Sequence, residues 1–233
     1  MQEWHHILSM TSALAPVLGR YLTAQLDGDL RAALVVVDRA LSHGHTVRTL
    51  QRDVVQAAQR EIGRMWQENE LSVAHEHMAT AIAQRVLTHL FEVAKPAPAR
   101  NTTILVACVE GELHELPARL VADYLELGGF SVRYLGANVP TEDLSTAVAE
   151  QPPAAVGLSA TMAFHAPALR AAVAAIRRQF PAMPVLTGGQ LLEWNPKLAD
   201  QLGVLVAGDD PDEILSAVEQ AVEDRSGARV QLG

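Results

Sequence analysis

His114 stands two residues after Glu112, in the stretch Val109-Glu110-Gly111-Glu112-Leu113-His114-Glu115-Leu116-Pro117. An imidazole can bind a metal through one ring nitrogen while a nearby carboxylate takes the N–H of the other and fixes its orientation. The stretch follows the apolar run Thr103-Ile104-Leu105-Val106-Ala107-Cys108-Val109, and Leu120-Val121-Ala122-Asp123-Tyr124-Leu125 comes after it. That pattern predicts a strand, a loop carrying the histidine, and a helix. In open α/β sheets such a loop, at the carboxyl end of a strand, is where ligands bind. Taken alone, the loop also suits an ordinary histidine between solvated glutamates. Two further loops share its setting. Gly157-Leu158-Ser159-Ala160-Thr161 offers hydroxyls and small side chains for a narrow polar slot. Thr187-Gly188-Gly189-Gln190 has paired glycines that let a ligand press on bare backbone. In the first half, Trp66 precedes Glu76-His77, and His75 adjoins them. An indole, a carboxylate and an imidazole gathered at one end of a helical hairpin could cap a ligand. Equally, Trp66 could anchor a core with Glu76 and His77 solvated.

The elements that must position these residues fall into two kinds. Residues 1–94 show helical periodicity, with Pro16 the only proline, and predict a four-helix bundle with helices at about 4–26, 29–43, 46–66 and 72–93. Pro16 bends or starts the first, and Ser72 is a candidate N-cap for the fourth. Lys95-Pro96-Ala97-Pro98-Ala99-Arg100 reads as a stiff, extended linker. From 101 to 233, strands are predicted at 103–109, 131–135, 154–159, 183–187 and 203–206. Helices alternate with them at about 114–128, 141–150, 165–180, 190–201 and 211–224, and residues 225–233 read as a tail. That alternation predicts a doubly wound parallel sheet, Rossmann-like in the flavodoxin-like manner. Of 233 residues, 49% are apolar, enough for a core. Eighteen basic against 27 acidic side chains give a net charge of −9, which argues against direct nucleic-acid binding. The single cysteine, Cys108, within a predicted strand, excludes a disulfide framework. With no signal-peptide pattern and no run of the roughly 18 apolar residues that cross a membrane, a cytoplasmic protein is expected.

Together, the three loops resemble the cobalamin-binding domain of methionine synthases, mutases and corrinoid proteins. That family's pattern is Asp-x-His-x-x-Gly, then Ser-x-Leu or Ser-x-Thr, then Gly-Gly. The resemblance implies cobalamin as cofactor and His114 as the lower cobalt ligand. It also implies Glu112 as the partner of His114, Ser159 and Thr161 lining the slot for the displaced nucleotide tail, and Gly188 and Gly189 flanking it. Glu112 stands where the family has Asp. Pro117 stands where it has Gly, and suits a first helical turn. The spacing Trp66-x9-Glu76-His77 resembles the helical cap of CarH-type, light-sensing B12-binding regulators. In those the Trp and the Glu-His pair cover the adenosyl group on the upper cobalt face. This resemblance runs from about Asp29 to Glu223. It implies a photosensory, non-enzymatic module that binds adenosylcobalamin and changes shape when light removes the adenosyl group. Its partner would be a transcription factor or effector, as for antirepressors, or a second copy of itself. CarH-type regulators begin with a DNA-binding domain, whereas here the helical half starts almost at Met1. Some light-responsive members carry a His directly after the Trp. Gln67 stands there in this chain, leaving His75 or His77 as substitutes. Photocobilins hold a bilin beside the cobalamin, and His75 makes a second tetrapyrrole conceivable. The alternatives are a corrinoid methyl-carrier of a methyltransferase system, which would share the lower-face residues but keep an open upper face, and a light-independent cobalamin sensor. His5, His6, His89 and His165 are read as structural or solvated, and Asp209, Asp210 and Glu213 as a solvated helix start.

Overall fold

A computed structural model describes residues 14–230, with side chains to 225. It divides into two compact units, Met1–Ala94 and Lys95–Gly233. The described part of the first is helical: α1 (Ala15–Leu26), α2 (Leu30–Ser42), α3 (Val47–Leu50), a π-helical turn (Gln51–Gln56), α4 (Ala57–Gln67) and α5 (Val73–Val93). Three side chains start these helices by satisfying N–H groups that have no partner inside the helix. Asp29 Oδ1 accepts from Ala32 N (2.9 Å), Thr46 Oγ1 from Thr49 N (3.1 Å) and Ser72 Oγ from His75 N (3.4 Å). Pro16 occupies the first turn of α1, where its missing N–H costs nothing. The expected start of that helix near residue 4 lies outside the described residues. Tyr21, Leu22, Val37, Leu50, Val54, Ile62, Val86, Leu87 and Leu90 close the core. The predicted third helix exists as one run from 47 to 67 but contains the π turn, which the apolar spacing had not suggested.

The second unit is a five-stranded, wholly parallel sheet in the order β2-β1-β3-β4-β5. The strands are β1 (Thr103–Cys108), β2 (Ser131–Tyr134), β3 (Ala155–Ser159), β4 (Val185–Gly188) and β5 (Leu205–Val206). Between and after them run α6 (Leu116–Leu127), α7 (Thr141–Glu150), α8 (Ala166–Gln179), α9 (Gln190–Trp194), α10 (Lys197–Leu202) and α11 (Pro211–Val230). The order reverses between β1 and β3, the switch point at which doubly wound sheets open a crevice. Strand alternation sorts the faces. Leu105, Ala107, Val109, Val156 and Leu158 pack with Leu144, Val148, Leu169, Val173 and Ile176 of α7 and α8. The alternate residues Ile104, Val106 and Cys108 point to the opposite face, where α6 and α11 lie.

Besides shifts of one or two residues at the ends of strands and helices, three segments depart from expectation. Pro196 divides the predicted helix 190–201 into α9 and α10, because the residue before a proline leaves helical geometry: Asn195 has φ −137° and ψ 69°. The last helix continues to Val230 in place of a tail from 225. Arg225 anchors it, donating from Nη1 to the carbonyls of Pro153 (2.8 Å) and Ala154 (2.7 Å). The segment expected as a linker bonds to the second unit through its latter half. Ala97 N donates to Leu127 O (2.9 Å), Arg100 N to Gly129 O (2.8 Å) and Arg100 Nε to Gly128 O (2.7 Å). The Arg100 guanidinium lies over Phe130, 4.9 Å from the ring centre, and pairs with Glu219 (2.7 Å). Gly129 permits this docking. Its φ is +91°, and a Cβ there would collide with the Pro98 carbonyl oxygen. Gly129→Ala is therefore expected to lower the stability of the second unit by ~1–3 kcal/mol, read as a fall in the urea midpoint at unchanged slope.

Candidate functional site

The loop between β1 and α6 carries His114, and it is pinned from two sides. Gly111 N donates to Asn138 Oδ1 (2.7 Å) while Asn138 N donates to Glu112 O (2.8 Å), so one asparagine after β2 clamps the loop by both of its ends. Asn138 has φ +50°, a left-handed conformation that asparagine tolerates better than most residues. On the other side the loop is tied to the turn after β3, through Val109 N to Ser159 O (3.1 Å) and Thr161 N to Glu112 Oε2 (2.5 Å). Pro117 sits in the first turn of α6, as its ring geometry favours.

Glu112 is 0% exposed. Its Oε1 accepts from both the backbone N (2.8 Å) and the ring Nδ1 (2.6 Å) of His114. Burial acts to raise the carboxyl pKa. The His114 ring and backbone N–H groups and the Thr161 N–H outweigh it, holding the group down at about 2. The ionised carboxylate only accepts, so Nδ1 of His114 carries the proton toward it and Nε2 is the ring nitrogen suited to a metal. The His114 side chain is 46% exposed. A buried carboxylate orienting a half-exposed imidazole is thus present, as the spacing suggested.

The turn after β3 adds a residue that sequence reasoning passed over. His165, read there as structural or solvated, is buried at 4% exposure, with Nδ1 2.9 Å from Glu112 Oε2. The approach is close enough for an ion pair but is not aligned as a hydrogen bond, so neither ring nitrogen has a hydrogen-bond partner. The edge of the ring bearing Nε2 lies against bare Gly111, 3.7 Å from where a Cβ would stand. Nothing in the local sequence marks His165; the signal is its position on the turn that meets Glu112.

Ser159 is buried, and among the described residues the only polar side chain beside its Oγ is the weakly bonding thiol of Cys108, its register neighbour, which leaves the hydroxyl without a strong partner. Register places Ser159 between Cys108 and Gly188, on the sheet face toward α6 and α11. Gly157, two residues earlier on that face, would bring a Cβ into only ordinary contact with Val106 (3.5 Å), and Gly188 only with Ala207 O (3.7 Å). These two glycines and a serine leave backbone uncovered on one face, beside a weakly partnered hydroxyl. The Thr161 hydroxyl is buried and unsatisfied. Gly189 differs. At φ +102° its missing side chain makes way for the backbone of Ala160, so the protein's own packing already requires a glycine there. Thr187 pairs with Leu158 and faces the opposite side of the sheet from Ser159.

In the first unit Trp66 is half-buried in the last turn of α4, and Glu76 and His77 lie in the first turns of α5. Glu76 Oε2 meets His77 Nδ1 at 2.5 Å, and the His77 ring is 73% exposed. A contact between Gln59 on α4 and Thr80 on α5 fixes the level of the antiparallel pair. At 1.5 Å per residue, it sets Trp66 level with Val73, about one turn from Glu76. His75 Nδ1 turns back to the cap residue Ser72 (2.7 Å). Of the histidines set aside in the sequence, His89 pairs with Asp38 (2.6 Å), and His5 and His6 lie outside the described residues. Asp210 caps α11 through Asp212 N (2.9 Å). Among the described residues, no three or more His, Cys, Asp or Glu side chains gather to hold a metal by themselves, and no helix is long and apolar enough to cross a membrane.

The B12 binding domain family matches residues 102–218, and a second B12 binding domain family matches residues 17–91. The chain is 30% identical over 154 residues to the HTH-type transcriptional repressor CarH of Myxococcus xanthus, covering 65% of this chain and half of that protein's length. It is 28% identical over 151 residues to a trimethylamine corrinoid protein of Methanosarcina barkeri, covering 63% and 69% of the two chains. Among solved structures, the monomethylamine corrinoid protein of Methanosarcina barkeri superposes with a TM-score of 0.74 at 19% identity, over 91% of this chain and all of that one. The fold and the family matches define a cobalamin-binding protein, and the chain belongs to the B12 binding domain family. The residues present fit the cofactor: a carboxylate-held imidazole at the switch point, and an uncovered strip with a weakly partnered Ser159 hydroxyl beside it.

Because its pKa is lowered on folding, Glu112 adds stability that is complete above the unfolded value of 4.5 and is lost as pH falls toward 2. Glu112→Gln is expected to cost ~3 kcal/mol near neutrality, a difference that shrinks between pH 4.5 and 2. Denaturant unfolding of both proteins across that range measures it.

Proposed function

We propose that this chain is a cobalamin-binding photosensory module that changes conformation when light removes the adenosyl group of adenosylcobalamin. Adenosylcobalamin supplies the light-sensitive cobalt–carbon bond when bound. The observation that carries the reading is the group Trp66, Glu76 and His77 at one end of the α4–α5 hairpin, in a chain similar to CarH over 154 residues. On this reading His114 is the lower cobalt ligand, and Glu112 holds its ring. Ser159, Thr161, Gly188 and Gly189, with Gly157, receive the nucleotide tail, and Trp66, Glu76 and His77 cover the upper ligand. The protein acts through a protein partner or self-association rather than by catalysis, in a cytoplasmic setting. Residues 1–94 serve as the cap, 95–100 as the joint and 101–233 as the cobalamin domain.

A second reading, a corrinoid methyl-carrier of a methyltransferase system, draws on the similarity to the trimethylamine corrinoid protein. It requires an upper face open to a docking enzyme, where this chain offers a tryptophan and an imidazole.

Three measurements test these assignments. His114→Ala is expected to shift bound cobalamin to a base-off spectrum or abolish binding, and an unchanged spectrum would remove His114 from the lower position. Under green light the wild-type complex is expected to convert irreversibly to a hydroxo- or histidine-ligated form, with a change in scattering profile or oligomer size. Trp66→Ala should weaken adenosylcobalamin more than hydroxocobalamin. Bleaching without a change in size, together with equal losses for both cofactors, would favour the methyl-carrier.

A further inference from the structure

Thr80 occupies a position in the α4–α5 hairpin that its hydrogen count cannot satisfy as it stands. Its Oγ1 lies 2.8 Å from Glu76 Oε1 and 2.9 Å from Gln59 Oε1. A hydroxyl has one proton and can donate to only one of two acceptors. Meanwhile the other end of the Gln59 amide, Nε2, is buried without a partner. The two ends of a glutamine amide are nearly the same size and are assigned from their hydrogen-bond partners. Turning the Gln59 amide over gives Nε2 a partner and resolves the Thr80 conflict, with Oε1 taking the buried place that Nε2 leaves. Gln59 Nε2–H then donates to Thr80 Oγ1, and Thr80 O–H donates to Glu76 Oε1. His77 Nδ1–H donates to Glu76 Oε2, already 2.5 Å away. Two bonds then run from Gln59 through Thr80 to Glu76 and a third reaches Glu76 from His77, so the donors converge on the carboxylate and both of its oxygens are held.

We infer that Gln59 and Thr80 are positioning residues for Glu76 and His77, forming a directed hydrogen-bond chain from α4 to α5 that fixes the Glu76 carboxylate and the tautomer of the His77 ring. The His77 ring is 73% exposed, so packing does little to orient it and its bond to Glu76 must. Exposed ion pairs alone hold little, because two free side chains must be ordered to form them. Thr80 is short and half-buried, and it bridges two helices, so little side-chain entropy is lost in holding the carboxylate. With Nδ1 donating to Glu76, Nε2 is the ring nitrogen that keeps a free lone pair.

This rests on the reading of Glu76 and His77 as residues that face the upper ligand, and the experiment separates the two. Thr80→Val removes the hydroxyl at nearly constant shape, and Thr80→Ser restores it. Two readouts are taken, with helical circular dichroism as a check on folding. In the apo protein, nitrogen NMR of His77 reports which ring nitrogen carries the proton. In titrations, the ratio of hydroxocobalamin to adenosylcobalamin dissociation constants reports preference for the adenosyl ligand. Thr80→Val is expected to mix the His77 tautomers and to lower the ratio by about fivefold. Thr80→Ser should restore both, and Gln59→Leu should fall between. If Thr80→Val leaves both readouts at wild-type values while Glu76→Ala lowers the ratio, the chain has no positioning role and the inference is overturned. If neither variant lowers the ratio, the assignment of Glu76 to the upper ligand fails and the inference falls with it.

Discussion

The second unit depends on one buried charge. Glu112 is fully enclosed and ionised, a state that costs several kcal/mol unless donors replace the lost water. The donors come from two chain segments, the backbone and ring of His114 and the backbone of Thr161. The carboxylate therefore joins the loop after β1 to the turn after β3, at the place where strand order reverses. Asn138 holds the same loop from the β2 side. Had Glu112 been exposed, the loop would have carried a histidine with no fixed direction. Because it is buried, the fold cannot relax around Glu112 without stranding a charge, and His114 inherits that rigidity.

Two of the carboxylate–imidazole pairs among the described residues, Glu112–His114 and Glu76–His77, use the same bond under opposite conditions. Glu112–His114 is made inside the protein, where desolvation strengthens the attraction and geometry is enforced by packing. Glu76–His77 is made at the surface, where water competes and the bare pair is worth little. The first needs backbone donors to compensate its burial, and it has them. The second needs side-chain partners to limit its freedom, and Thr80 and Gln59 are the ones within reach.

What was legible in the sequence was local. Asp29, Thr46 and Ser72 announce helix starts because a capping side chain acts on its own next turn. Strand alternation and the position of His114 two residues from Glu112 are likewise short-range. The π turn was not legible. Leu50, Val54, Ala58 and Ile62 are spaced by four and all buried, and a regular helix rotates such a row by about 40° per step. Widening one turn takes up part of that drift, but the apolar pattern reads as helix either way. Pro196 did mark a break, and its effect on Asn195 was available from the sequence. His165 and Asn138 were out of reach for a different reason. They lie 53 and 26 residues from Glu112, and only the crossing of β1 with its two neighbours brings them to it.

The paired glycines show how a motif can be right in place and mixed in cause. Gly188 and Gly189 are adjacent, yet a Cβ on Gly188 would find space whereas one on Gly189 would strike the backbone of Ala160. The second glycine is demanded by the way β4 turns past β3, whatever binds nearby. The first belongs with Gly157 and Ser159, its neighbours on one face of the sheet. On the opposite face the same strands carry Val156, Leu158 and Val185, packed tightly on α8. A parallel sheet covered on both faces would ordinarily be filled with large apolar residues on each. Here the period of two divides the labour. Both faces carry buried apolar residues, but the one toward α6 and α11, with Ile104, Val106 and Leu186, gives up side-chain volume at Gly157 and Gly188.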